Sequence, residues 1–219
     1  MYAQSMLRRT RSTKEVEARA RTLAALVRHA HGESQDLKGL SPTERESELL
    51  SRPAEAWSER EVIDATWRGE ALGALRWALT LVDELPPYDR PFDHLAIARD
   101  LRIESAELRP RDELEAEREA ARLWHWRART TIVQDEKLAA LSARWISFDQ
   151  LIAATAMKGH DRGLLPTPLR GDFPVLRKPY RTLTDDERAV AYSIASERHY
   201  ALEWLCKPGS EWDAVQTDT

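Results

Sequence analysis

Apolar residues along this 219-residue chain recur at helical spacing, and one stretch stands apart from the rest. From Thr66 to Val82 the sequence reads TWRGEALGALRWALTLV. Nearly every position is apolar, aromatic or small, the pattern of a helix enclosed on most sides. Arg68, Glu70 and Arg76 interrupt that surface and need partners wherever the helix is buried. The other periodic segments each carry a single apolar face suited to covering this one. The pattern predicts an all-α, single-domain helical bundle around a central buried helix, with a long irregular loop before the C-terminal helix.

Cap signals divide the chain into elements. Residues 1–11 read as a frayed N-terminus, and 12–219 as one helical domain. Ser12 with Glu15 forms a capping box ahead of Val16, Ala20, Leu23 and Val27, and Gly32 supplies the stop. Ser41-Pro42-Thr43-Glu44 reads as a second box with proline at the first helical position, opening a short helix that ends near Leu50. Ser58 with Glu61 opens the segment that runs into the central stretch, with a break expected near Gly69 and an end before Pro86-Pro87. Trp57 and Val62 flank that cap as a hydrophobic staple.

Phe92–Arg102 reads as an amphipathic helix. Pro110 then starts a long charged helix with Leu114, Ala121, Trp124 and Ala128 as its apolar stripe and Glu/Arg pairs on its solvated face. Lys137–Met157 reads as two helices broken near Ser147. The stretch Arg11, Glu15, Val16, Glu17, Ala18 matches Arg109, Glu113, Leu114, Glu115, Ala116 at constant offset, which suggests an internal duplication.

Residues 159–183 change character. Glycines and prolines exclude a regular element there, while Leu164, Leu165, Phe173, Val175, Leu176 and Tyr180 give enough apolar weight for an ordered, surface-hugging loop. It is locally basic through Arg162, Arg170, Arg177, Lys178 and Arg181. Thr184 with Glu187 boxes the last helix, whose apolar face of Val190, Ile194, Ala201, Leu202 and Leu205 also holds Arg198. Lys207-Pro208-Gly209 ends it, and the tail is expected to dock through Trp212.

Composition narrows the function classes. Hydrophobic residues make up 42% and charged residues 32%, a globular chain with a heavily charged exterior. A net charge of -4 argues against general nucleic-acid binding. No apolar run has the length of a membrane span or follows the basic N-terminus as a secretory signal would, so no membrane association and cytoplasmic residence are expected. The one cysteine, Cys206, reads as a small packed apolar group.

Several blocks together resemble a known family. TWRGEALGALRWAL at Thr66–Leu79, SERHYALEWL at Ser196–Leu205 and the terminal WDAVQTDT are similar, in this order, to the motifs of the bacterial family called domain of unknown function 4272. Arg11-Ser12-Thr13-Lys14-Glu15-Val16 supplies that family's first block, and Leu108–Leu114 a related one. Gly73 departs from it, standing where the family has a large residue, and the basic loop is longer than typical. The resemblance implies a helical domain and carries over no activity, substrate or catalytic residue.

Two functional readings follow. The first is a non-enzymatic protein-interaction module of accessory or immunity type, with Arg162, Arg170, Arg177, Lys178, Arg181, Asp213 and Asp218 as candidate partner-binding residues. The second is a hydrolase or anion-binding enzyme built on Arg68, Glu70, Arg198 and His199 converging beneath the loop. Arg68, Glu70, Glu197 and Arg198 could equally form a buried ion-pair network, with Glu70–Arg198 as its central pair. Asp213 and Asp218 could bind a cation or a basic surface, or Asp213 could cap a turn. Histidine spacings give no metal site, no glycine pattern cradles phosphate, and no cofactor is expected. Oligomeric state is open.

Overall fold

A computed structural model describes residues 10–33, 38–100, 102, 106–137 and 148–217. The fold is all-α. Its helices are α1 (Thr13–Ala30), α2 (Glu44–Ser51), α3 (Glu59–Ala78), α4 (His94–Arg99), α5 (Arg111–Lys137), α6 (Phe148–Asp161) and α7 (Asp185–Cys206). A two-stranded antiparallel ribbon, β1 (Pro174–Val175) and β2 (Lys178–Pro179), precedes α7. Helices α3 and α7 pack together at the centre, with α1 along α3, α5 along α7, and α4 against α1 and α3. Leu72, Leu75 and Leu79 meet Ile194, Leu202 and Leu205 in a core that excludes water from all six.

The capping boxes at Ser12, Ser58 and Thr184 form as their sequences require. The remaining box sits two residues later than Ser41–Glu44: Thr43 is the cap and Glu46 its partner. Glu46 is fixed there because it also receives buried Arg19, while the Ser41 N–H donates to Thr22. The central helix has no break at Gly69. That glycine and Gly73 are packing residues, since a Cβ would fall 2.6 Å from His94 at one and 2.2 Å from the Phe92 ring at the other. The contact outweighs glycine's helix penalty of about 1 kcal/mol.

Helix ends differ from the periodic pattern where an arginine takes a carbonyl. The central helix stops at Ala78 rather than Val82, with Thr80 in a left-handed conformation (φ 56°). Arg109 holds that end. Its backbone N–H donates to Ala78 O at 2.8 Å, its Nε to Trp77 O at 2.8 Å and its Nη2 to Asp83 O at 2.8 Å, and its guanidinium lies 4.9 Å from the Trp77 ring centre. Arg11 does the same for α7, through its N–H to Leu205 O, Nε to Trp204 O, Nη2 to Ser210 O and a stack 4.2 Å from the Trp204 ring centre.

Each arginine also reaches a glutamate four residues on, Glu15 or Glu113. The short sequence repeat is therefore a repeated contact, and it extends to Glu70, Ala74, Leu75, Trp77 against Glu197, Ala201, Leu202, Trp204. Arg11 is consequently anchored and not part of a frayed end; residues 1–9 lie outside the described residues.

Helix α4 is shorter than Phe92–Arg102. Asp93 caps it through the Ala96 N–H, and Arg76 pairs with Asp100 (2.8 Å) and takes its carbonyl, drawing the chain out of the helix. Leu101, the break near Ser147, and Leu138, Leu141 and Trp145 lie outside the described residues. Gly159 is helical, because α6 continues to Asp161. Beyond it, residues 162–183 are more than a surface loop: Leu165, Phe173, Val175, Tyr180 and Leu183 enter the core. Trp212 docks as expected, between Trp204 and Tyr200 with Arg19 over its ring.

Gly73→Ala tests the α3–Phe92 contact. It should lower stability by about 1–3 kcal/mol despite its better helix propensity, and Gly73→Ala/Phe92→Leu should regain part of the loss in urea titrations. A stabilised single variant would contradict the packing role.

Candidate functional site

The charges of the central helix are the natural starting point. Glu70 is completely buried and saturated. It accepts from the Phe92 N–H at 2.7 Å, His94 Nε2 at 2.9 Å and Arg198 Nε at 2.9 Å, with Arg198 Nη2 at 2.8 Å. Burial pushes its carboxyl upward, but His94, Arg198 and the Phe92 amide outweigh that and hold it below the ordinary carboxylate value. Arg198 is equally enclosed and spends its other hydrogens on Pro86 O and Arg90 O, between the Tyr88 and Phe92 rings. The Glu70–Arg198 pair is therefore present, and it fastens residues 86–94 across α3 and α7.

Arg68 and His199 do not join it. Arg68 donates Nη1 to both Glu197 oxygens, at 3.1 and 3.0 Å, on a different face of α3. His199 follows Arg198 directly, so helical geometry turns it about 100° away, toward α5. There its Nδ1 lies 3.0 Å from Nδ1 of His125, both rings buried. Glu203 stands 3.8 Å from His199 Nε2, beyond hydrogen-bond reach, and one of the two Nδ1 atoms carries the hydrogen that the pair shares. The His125 Nε2 is left buried without a partner among the described residues. Burial holds both imidazoles down at about 4. The four residues expected to converge beneath the loop thus fall into separate contacts, with Glu70 and Arg198 closed to solvent.

The basic loop is built around a carboxylate that sequence reasoning passed over. Asp172, fully buried, grips Arg127 of α5 through Nε at 2.7 Å and Nη2 at 2.9 Å, and it also accepts the Phe173 and Arg181 N–H groups. The place of Arg127 beside Ala128 and three residues past Trp124, on the apolar stripe of α5, is the signal in the sequence. From this anchor the chain makes two tight turns. One carries Arg170 (φ 52°) and Gly171 (φ 74°) between the bridged residues Leu169 and Asp172; the other carries Leu176 (φ 50°) and Arg177 (φ 61°) between β1 and β2.

The loop cations separate by partner. Arg162 contacts Glu119, Lys178 binds Glu187 at 2.7 Å, and Arg181 bonds Arg170 O and approaches Asp172. The exposed side chains of Arg170 and Arg177 meet no acid among the described residues. Leu176 is 44% exposed beside Arg177, with its N–H held by Asp89 at 2.8 Å.

Asp213 is exposed and caps nothing, since the turn Trp212–Ala214 begins at Glu211 without a side-chain bond. Asp218 lies outside the described residues. Asp213 instead stands at the mouth of a polar cleft of about 500 Å³ between α2, α3 and α7, floored by the Arg68–Glu197 pair. No spacing in the sequence announced it, because its walls come from three distant segments. Cys206 is buried, its thiol pushed up to about 12 by burial. Among the described residues no three His, Cys, Asp or Glu side chains gather to hold a metal, and no helix is long and apolar enough to cross a membrane.

A family model described as Domain of unknown function (DUF4272) matches residues 2–150, so the similar blocks at Ser196–Leu205 and in the tail lie outside the matched span. No curated protein and no solved structure matches the chain.

Two outcomes test this chemistry. Glu70→Gln should cost about 3–5 kcal/mol by leaving Arg198 buried without its counter-charge, measured by chemical denaturation. Separately, the unfolded imidazoles titrate near 6.5 and the folded ones near 4. The unfolded chain therefore binds more protons across that interval. Their contribution is complete above 6.5 and is lost as pH falls toward 4. Glu117 and Glu197, raised by burial, tilt the slope the other way. The difference between wild type and His125→Phe isolates the His125 imidazole, because His199 stays in both: the wild-type melting temperature should fall more steeply from about pH 6.5 to about pH 5. Parallel slopes would contradict a neutral, buried His125.

Proposed function

The chain belongs to the family described as Domain of unknown function (DUF4272), which brings no activity with it, and from the geometry alone we propose a non-enzymatic interaction module that holds an acidic protein partner through residues 170–177. The observation that carries this reading is the conformation of Arg170, Leu176 and Arg177. Each occupies left-handed backbone space that costs a residue with a Cβ roughly 1–2 kcal/mol, yet each is exposed at a turn tip where glycine or asparagine would relieve the strain. Strain retained at an exposed site, supported by a rigid base, is a mark of use. The base is the buried Arg127–Asp172 fork below and the Asp89 carboxylate beside the ribbon.

The uncommitted guanidinium of Arg177 next to exposed Leu176, with that of Arg170 on the neighbouring turn of the loop, supplies the usual interface elements, a charge for steering and an apolar anchor. Lys178 and Arg181 act as supports, because their charges are already engaged. An accessory or immunity-type role fits a rigid basic tip meeting one complementary partner. The enzymatic alternative draws less support, since Glu70 and Arg198 are sealed and His199 faces another helix.

The test is a tagged pull-down from lysate of the source cells at moderate salt. One acidic partner should appear at near-equal stoichiometry, and Arg170→Glu/Arg177→Glu should abolish its recovery while leaving circular dichroism and melting temperature unchanged. Retention by the folded double variant would overturn the assignment of these turns.

A further inference from the structure

The polar cleft between α2, α3 and α7 offers a second and independent site. Most of its charge is already spent. Glu46 receives Arg19, Glu61 receives Arg52 at 2.6 Å, and Glu197 receives Arg68. What remains has both signs. Asp213 and Arg45 form no ion pair among the described residues, with each other or with any third group. Asp64 meets only Arg60, a side chain 90% exposed, at 3.8 Å. Arg68, which lines the cleft, bonds Glu197 through Nη1, and its Nη2 and Nε make no hydrogen bond among the described residues.

We propose that this cleft binds a small zwitterion of the amino-acid type, a free α-amino acid or a short peptide. An anion alone would face the free carboxylates of Asp64 and Asp213. A cation alone would face Arg45 and Arg68. A ligand carrying both a carboxylate and an ammonium satisfies the two sets together, the carboxylate on the arginines and the ammonium on the aspartates.

The rest of the cleft suits such a ligand. At about 500 Å³ it lies inside the range of small-molecule pockets. Trp67, Tyr192 and Leu49 line it and can cover an apolar side chain. The hydroxyls of Ser193 and Ser196 face it without another hydrogen-bond partner among the described residues and can complete the polar shell. The floor is set before any ligand arrives, because Arg68 is held by Glu197 and lies over the Tyr200 ring, whose hydroxyl donates to Trp212 O.

Saturation-transfer NMR and calorimetry on the intact protein would test this with three probe sets: the L-amino acids, a glycyl-phenylalanine dipeptide, and their N-acetylated and C-amidated forms. At least one zwitterion should saturate, at least about tenfold more tightly than either of its blocked forms. Asp213→Asn and Arg45→Gln should each weaken it by about tenfold; both residues are exposed, and unchanged melting would confirm folding. Equal binding of a blocked form, survival of binding in both variants, or no saturation up to about 10 mM would overturn the proposal.

Discussion

Burying a full charge on the central helix constrains everything packed against it. Glu70 cannot lie unpaired between α3 and α7, because an uncompensated carboxylate there costs more than the surrounding apolar contacts return. Its partners fix the architecture. Arg198 sets the register of α7 on α3, His94 holds the start of α4, and the Phe92 amide brings residues 86–94 onto the helix surface. Gly69 and Gly73 then become necessary, since side chains at either position would displace the segment that satisfies Glu70. Such a pair adds little net stability against an apolar replacement, but it disfavours every arrangement in which either charge loses its partner.

The same logic operates at the helix ends. The last carbonyls of α3 and α7 have no acceptor role within their helices, and both are met by an arginine that precedes a different helix, Arg109 and Arg11. One side chain thereby closes a helix end, stacks on its tryptophan and positions the start of α5 or α1. The repeated use of Arg, a glutamate four residues later and a distant Trp makes the α1–α3 and α5–α7 pairs equivalent in construction. Lysine could not substitute, because one ammonium lacks the fork that reaches separate carbonyls while stacking on a ring.

Much of the fold was legible in the sequence because its signals are local. Capping boxes at Ser12, Ser58 and Thr184, the apolar density of Thr66–Val82 and the periodicity of the last helix depend on neighbours within one or two turns. Sequence reasoning failed where a distant side chain took a backbone group: Arg109 shortened the central helix, Arg76 shortened α4, and Glu46 moved a cap by also binding Arg19. The basic loop was visible as a composition change, but Asp172, which organises it, is one acid among many until Arg127 is seen opposite. The cleft had no sequence signature at all, since three segments far apart in the chain form its walls. Glu70–Arg198 was anticipated because two opposite charges on apolar helix faces leave few other partners.

Commitment of charge separates the structural arginines from those available for function. Arg76, Arg127 and Arg198 are nearly inaccessible, and each binds a carboxylate together with a backbone carbonyl, a hydroxyl or a second acid oxygen, although the Arg76 Nε meets no acceptor among the described residues. Their guanidinium forks cannot engage a ligand without breaking the core. Arg45, Arg170 and Arg177 are exposed, and none of them meets an acid among the described residues. In a chain with 33 basic and 37 acidic residues, many exposed charges meet no opposite charge among the described residues, so a missing partner alone marks no site. What sets Arg170 and Arg177 apart from the other unpaired cations is the left-handed backbone at their turns.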